Sequence, residues 1–294
     1  MATQAALFEP DLLRRLEGLA LQVRRSVLGE MAGERRSPTF GRSVEFADFR
    51  SYSPGDDFRL IDWKAYARLD RFLLRLYHAE QELPLNLFVD LSGSMDWGNP
   101  NKAWVAKQLA GALAYVALAS LDRVRVTVFA DTAVPTRTTY RGRRAAPEVF
   151  RVLATAPVGG RTDYSRLVWP LQRQRPGMSV LISDGLGDAS AVESSLTALQ
   201  RAQQQGALIQ LLAPQEIDPD WSGDARLRDA ETAAEREFTL TPITRETYLQ
   251  RLAERTRLLE DSAHRHGLAF ARFSSSEPIH EMVRGGLGRL GLIK

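Results

Sequence analysis

Asp90, Ser92 and Ser94 occupy alternate positions in the segment Asp90-Leu91-Ser92-Gly93-Ser94. In an extended loop alternate side chains point the same way, so one carboxylate and two hydroxyls converge. Two later pieces are as rich in oxygen: the glycine loop Gly159-Gly160-Arg161-Thr162-Asp163 and the segment Ser183-Asp184-Gly185. Asp90, Asp184, Ser92, Ser94 and Thr162 make a donor set of two carboxylates and three hydroxyls. A hard divalent cation takes about six oxygens, at ~2.0–2.1 Å for Mg2+. This set with water fills most of such a shell, the aspartates binding directly or through water. One position then stays open, and a glutamate or aspartate of a partner can complete it. The same residues also have a structural reading, in which the serines cap the helix after Asp90 and Asp184 caps the next turn.

Composition narrows the chemistry. The chain has no cysteine, which removes disulfides, thiolate zinc sites, iron–sulfur clusters and cysteine nucleophiles. Its four histidines are His78, His264, His266 and His280, and a three-histidine metal site is not expected. His264 and His266 read as a solvated helix end, where positive charge is favoured. Any metal must lean on oxygen, which selects Mg2+, Mn2+ or Ca2+.

These residues need elements to hold them. Leu85–Asp90 reads as an apolar strand ending in a carboxylate, Ala103–Leu121 as a long apolar helix and Arg123–Ala130 as a strand with Ala133–Tyr140 as its hairpin partner. Helices are expected over Pro147–Thr155, Leu167–Arg173, Ala191–Gln203, Glu246–Arg265 and Pro278–Leu287. Further strands are expected over Met178–Ser183, Ala207–Leu212 and Leu268–Phe273. Continuous apolar strands separated by helices predict an α/β fold, a mostly parallel sheet covered on both faces. Ligands bind such sheets beyond the carboxyl ends of the strands, where Asp90 and Asp184 fall.

Upstream, apolar residues from Leu12 to Met31 recur at helical spacing, so a helix is expected over Pro10–Met31. From Ser43 to Arg75 the pattern reads as extended stretches around Val44–Tyr52, Arg59–Arg68 and Phe72–Tyr77, with a turn at Ser53-Pro54-Gly55-Asp56. The 294 residues thus divide into an N-terminal helix (1–38), a small β-rich segment (39–84) and a main α/β domain (85–294). The main domain carries an acidic, poorly periodic insert at 216–242.

Asp90, Ser92 and Ser94 resemble the D-x-S-x-S motif of the metal-ion-dependent adhesion site of the von Willebrand factor A fold. That resemblance implies Thr162 as the matching threonine and Asp184 as the second aspartate. The stretch Gly41-Arg42-Ser43-Val44-Glu45-Phe46, then Arg50 to Trp63 (RSYSPGDDFRLIDW), then Ala67-Arg68 is similar to the signature of domain-of-unknown-function family fifty-eight. Asp229-Ala230-Glu231-Thr232 also looks familial. The family joins this segment to a von Willebrand A-like domain. The resemblance implies a binding and assembly protein whose partner is a MoxR-type AAA+ ATPase, the pair acting as a chaperone-like system that matures another complex. Many members carry transmembrane helices; no run of about 18 apolar residues exists here, so no membrane span is expected. Residues 1–10 lack a basic region before an apolar core, so no signal peptide is expected and the chain is expected to be soluble and cytoplasmic.

Charge separates two alternatives. Lys64, Lys102, Lys107 and Lys294 are the only lysines, so 35 of the 39 basic residues are arginine. Residues 137–175 hold nine arginines against Glu148 and Asp163, a net +7, while residues 216–237 hold eight acids against three arginines, a net −5. The two stretches can face each other. The Arg-rich stretch could also attract an acidic protein or nucleic acid, although nucleic acid is disfavoured because nothing in it suggests a stacking platform for single strands. A metal-dependent phosphoester hydrolase is the other alternative, with Asp96 and Asp163 as the nearby bases. Glu45, Asp56, Asp57 and Asp62 alternate with Arg50, Arg59 and Arg68, which reads either as a brace of Arg–carboxylate pairs or as a second ligand site. Gly286-x-Gly288-x-x-Gly291 lies too near the last residue to open a dinucleotide-binding unit. No P-loop and no G-x-S-x-G element occurs.

Overall fold

The structure is a computed structural model that describes residues 7–8, 10–22, 46–77, 84–130, 138–167, 176–220, 222–232 and 234–294. Residues 23–31 of the expected N-terminal helix and residues 41–45 of the signature lie outside the described residues. So do 133–137 of the expected hairpin strand, 168–173 of the expected short helix, His78 and Arg175. The chain forms two compact units. The larger comprises Met1–Val23 with Leu83–Lys294, and the smaller comprises Arg24–Glu82.

In the smaller unit, β1 (Phe46–Ser51) pairs antiparallel with β2 (Leu73–Tyr77). The turn at residues 53–56 closes with Asp56 N–H on Ser53 O at 3.0 Å. The stretch Arg59–Arg68 is not extended, as its pattern suggested. It forms a 3-10 turn (Phe58–Leu60) and the helix α2 (Trp63–Leu69). The acids supply the reason: Asp57 caps the 3-10 turn, and Asp62 Oδ1 accepts from Lys64 N and Ala65 N at 2.9 and 3.1 Å, capping α2. Asp56 takes Arg50 Nη2 at 2.7 Å, so the acid–arginine alternation divides between an ion pair and caps. Tyr66 stacks on Phe72, 4.5 Å between ring centres.

The larger unit is built on six strands, β3 (Pro84–Asp90), β4 (Arg123–Phe129), β5 (Thr139–Arg141), β6 (Gly177–Ser183), β7 (Gln204–Leu212) and β10 (Ala269–Ser274), ordered β10-β7-β6-β3-β4-β5. All neighbours run parallel except β4 and β5, the expected antiparallel edge. Alternate residues feed two cores. Leu85, Leu87 and Val89 of β3 pack with helices α3 (Lys102–Ala119) and α4 (Ala146–Thr155). Phe88 and Leu181 face α5 (Ala189–Arg201) and α7 (Pro242–Arg265). The sheet is therefore covered on both faces, which is why its strands read as continuous apolar runs. The mostly parallel α/β architecture is as expected. β3 lies between β4 and β6, so the chain leaves β3 on one side and later returns on the other. The carboxyl ends of β3 and β6 flank this switch point.

Near the opposite end of these strands the α5–α7 face carries a buried polar network. Asn86 Nδ2 reaches Gln204 Oε1 (3.1 Å) and Ser179 Oγ (3.4 Å), and Ser179 Oγ donates to Gln204 Oε1 (2.9 Å). Helix α3 starts at the Asn101 cap, whose Oδ1 accepts from Trp104 N at 3.0 Å, and is buried on nearly every side. Among the described residues, no helix is long and apolar enough to cross a membrane.

Four local expectations are corrected. Helix α1 covers only Pro10–Leu16. Gly18, at φ +84°, breaks it in a left-handed conformation that glycine adopts without penalty, and the chain then runs extended. Ala20 N–H binds Lys294 O (2.9 Å) and Gln22 N–H binds Leu292 O (2.8 Å). The acidic insert holds a short helix, α6 (Pro214–Ile217), and an antiparallel hairpin, β8 (Gly223–Arg228) with β9 (Glu235–Leu240). Both hairpin strands are mostly exposed, so no apolar alternation marks them. The last helix is α8 (Ile279–Glu281) running into a π-helical turn (Met282–Leu287). His266 is not solvated: its ring lies 3.1 Å from Thr197 Oγ1 of α5 and 2.8 Å from Ser262 O, whereas His264 is exposed.

Leu181 is fully buried between sheet and helices and Leu258 of α7 is 59% exposed. Leu181→Ala should cost about 2–5 kcal/mol and Leu258→Ala about 0.5 kcal/mol or less. Chemical denaturation of both variants is the check.

Candidate metal centre

Asp90 ends β3 with no exposed surface, and Asp184 follows β6 with 1%. The carboxylate of Asp90 is held from both sides. Ser92 N–H donates to Oδ1 (3.0 Å) and Ser183 Oγ–H to Oδ2 (2.7 Å). Ser183 gives its one proton to Asp90, so Tyr164 Oη, 2.9 Å away, donates to Ser183. Burial, and next the charge of Asp184, push the Asp90 carboxyl up to about 7. Burial, then the charge of Asp90, likewise raises the Tyr164 hydroxyl and keeps it protonated.

Asp184 Oδ1 accepts from Leu186 N (3.1 Å), and Oδ2 accepts from Lys102 Nζ (3.0 Å). Lys102 begins the mostly apolar α3 and has no exposed surface. Its ammonium also donates to Glu216 Oε1 at 2.6 Å, and Glu216 Oε2 caps α6 by accepting from Ala213 N at 2.7 Å. Burial works against the Lys102 charge, but Asp184 and Glu216 outweigh it and hold its pKa above the ordinary value. Burial raises Glu216 despite Lys102. Sequence reasoning missed Lys102 and Glu216. Their only signals are a lysine at the head of an apolar helix and a glutamate at the third position of a helix.

Thr162 arrives on a loop clamped to the Asp90 loop by two backbone bonds, Gly159 N–H to Leu91 O and Gly93 N–H to Gly160 O, both 2.8 Å. Thr162 Oγ1 lies 3.0 Å from Ser92 Oγ, which lies 3.2 Å from Ser94 Oγ. The structure therefore gathers the three hydroxyls at one place, with Asp90 and Asp184 close enough for their charges to interact. A further acid joins them: Glu231 Oε1 accepts from Thr162 Oγ1 (2.8 Å) and from Thr162 N (3.3 Å). Glu231 was not among the expected site residues, and its signal was the Asp229-Ala230-Glu231-Thr232 run.

The donor set fits a hard divalent cation. Neighbouring oxygens in an octahedral shell around Mg2+ stand ~3.0 Å apart when each bond is ~2.1 Å, and the hydroxyls are spaced at 3.0 and 3.2 Å. Asp90 and Asp184 bring two buried carboxyl groups to the site, and a divalent cation would offset the cost of charging both. Among the described residues, no three His, Cys, Asp or Glu side chains gather into a metal-holding group, so a cation here would depend on the hydroxyls as much as on the carboxylates. The two acids considered as hydrolytic bases are engaged elsewhere. Asp96 Oδ1 accepts from Asn101 Nδ2 (3.0 Å). Asp163 accepts from Ser165 and Arg166, which lower its pKa against the effect of burial.

Within the Arg-rich stretch, Arg143 pairs with Glu17, Arg151 with Glu148 and Arg166 with Asp163. The acidic hairpin tip meets the stretch at Thr162. Hydrogen bonds from Thr232 and Glu231, then the charge of Arg161, hold Asp229 below its ordinary value.

The family described as "Protein of unknown function DUF58" matches residues 48–257. An uncharacterized protein of Mycobacterium tuberculosis (strain ATCC 25618 / H37Rv) is 32% identical over 255 residues, covering 83% of this chain and 79% of that protein. Among solved structures, the conserved hypothetical protein BatB from Bacteroides thetaiotaomicron gives a TM-score of 0.43 at 15% identity, over 71% of this chain and 98% of the other. The VWA domain of SpRpn10 gives 0.39 at 8%, over 70% and 95%.

Removing the Lys102 charge leaves Asp184 and Glu216 buried without it. Lys102→Met should cost about 3–5 kcal/mol, read as a lowered denaturation midpoint. Glu216→Gln leaves Lys102 its Asp184 partner and should cost less.

Proposed function

This chain belongs to the DUF58 family, and from that premise we propose that it is a metal-dependent protein-docking factor. Asp90, Ser92, Ser94, Thr162 and Asp184 hold the cation in this reading, Mg2+ or Mn2+ in the first place and Ca2+ as the larger alternative. The observation that supports it is the clustering of three hydroxyls beside buried Asp90, whose charge interacts with that of buried Asp184, at a switch point of the sheet. The bound cation supplies a positive centre at which a partner's carboxylate completes the shell.

The chain's own groups keep that centre ready. Ser183 and Tyr164 orient Asp90, Lys102 orients Asp184, and the two backbone bonds of residues 91–93 to residues 159–160 hold Thr162 against Ser92. The partner that family resemblance suggests is a MoxR-type AAA+ ATPase, in chaperone-like maturation of another complex.

Titrating the purified chain with Mg2+ or Mn2+ in the presence of such an ATPase is the test. Binding should require the cation and should fall about tenfold or more in Asp90→Ala and in Ser92→Ala, the least that losing even a group behind the ligands costs, with circular dichroism unchanged. Binding that both variants leave intact rejects the mechanism.

A further inference from the structure

The hairpin β8–β9 is exposed along most of both strands, and an isolated two-stranded hairpin is marginal in water. Its tip is nevertheless held. Asp229 Oδ1 accepts from Glu231 N (3.0 Å), Thr232 N (2.6 Å) and Thr232 Oγ1 (2.8 Å), and Asp229 N–H binds Ala234 O at 2.8 Å. That turn presents Glu231 to Thr162, where Oε1 lies 2.8 Å from the hydroxyl. Ala230 O sits so close over Gly93 that a Cβ there would lie 2.5 Å from it. The tip is seated directly on the loop that carries Ser92 and Ser94.

We propose that Glu231 is a tethered ligand: the hairpin tip occupies the open position of the docking centre, and a partner binds by displacing it with an acidic turn of the same kind. This rests on the docking reading above and adds what fills the site in the free chain. Glu231 Oε1 accepts from Thr162 Oγ1 at 2.8 Å, and Thr162 Oγ1 lies 3.0 Å from Ser92 Oγ, so the carboxylate sits against the hydroxyl cluster that would hold the cation. The rim explains the choice of an acidic partner. The charge of Arg161 acts on Asp229, so a displacing segment with more than one carboxylate gains the interactions that the tip gives up.

Amide hydrogen exchange over residues 223–240 tests the tether, in the wild-type chain, in Glu231→Gln and in Thr162→Val, each with and without Mn2+. Both variants should speed exchange of the hairpin amides about tenfold or more, the effect of losing one charge-assisted hydrogen bond. Amides of β3 and β6 should stay at their wild-type rates, which verifies that the sheet is intact. Wild-type hairpin rates in both variants overturn the proposal. The Mn2+ arm separates it from the docking reading. If Mn2+ slows hairpin exchange in the wild type and not in Asp90→Ala, tether and cation stand together. If the hairpin is released in the variants and nothing responds to Mn2+, the tether stands and the cation falls.

Discussion

Two carboxylates withdrawn from water at the ends of adjacent strands must be compensated, and much of the large unit is arranged to do so. An unpaired buried charge is among the most destabilising features a fold can contain. Here Asp90 and Asp184 draw hydrogen bonds from the strand-end loops, from Ser183 with Tyr164 behind it, and from the Lys102 ammonium. Lys102 in turn requires Glu216, and Glu216 caps a helix in a segment more than a hundred residues away. One electrostatic demand thus ties β3, β6, α3 and α6 to a single point. Helix α3 is buried on nearly every side, its first residue Lys102 included.

The formal charge of +3 hides this arrangement. Acids of the 216–237 segment reach the centre twice, through Glu216 inside and Glu231 at the mouth. The arginines beside Thr162 favour that approach. The same segment therefore supplies an interior counterpart for a lysine and an exterior counterpart for a hydroxyl cluster. Its poor periodicity follows from that work, since neither role needs an apolar face.

Much of this was legible before any coordinates. The central strands were readable because they are apolar on both faces, and the hydroxyls of Ser92, Ser94 and Thr162, which the fold does bring together, because they fall after a strand or in a glycine loop. What escaped reading depended on distant contacts or on side chains that replace backbone partners. Lys102 meets Asp184 across 82 positions and Glu231 meets Thr162 across 69, separations that no local pattern records. The stretch 59–68 misled because Asp57 and Asp62 act as caps, and a cap is invisible when the helix it starts spans only seven residues. The N-terminal periodicity continued past Gly18, but the left-handed backbone there ended the helix.

The polar trio Asn86, Ser179 and Gln204 acquires a second meaning at this distance. It joins one side chain from each of β3, β6 and β7, where an apolar trio would bury as well and discriminate less. Sliding β6 by one residue against β3 would shift its far end by about 3.3 Å and turn each side chain to the wrong face. Such a slip would break these amide and hydroxyl contacts inside the core, where lost hydrogen bonds are costly. The trio therefore works as an alignment gauge. Set at the amino ends of the strands, it fixes how far Asp90 and the residue after Ser183 project at the other end, and so the gap between two carboxylates that it never touches.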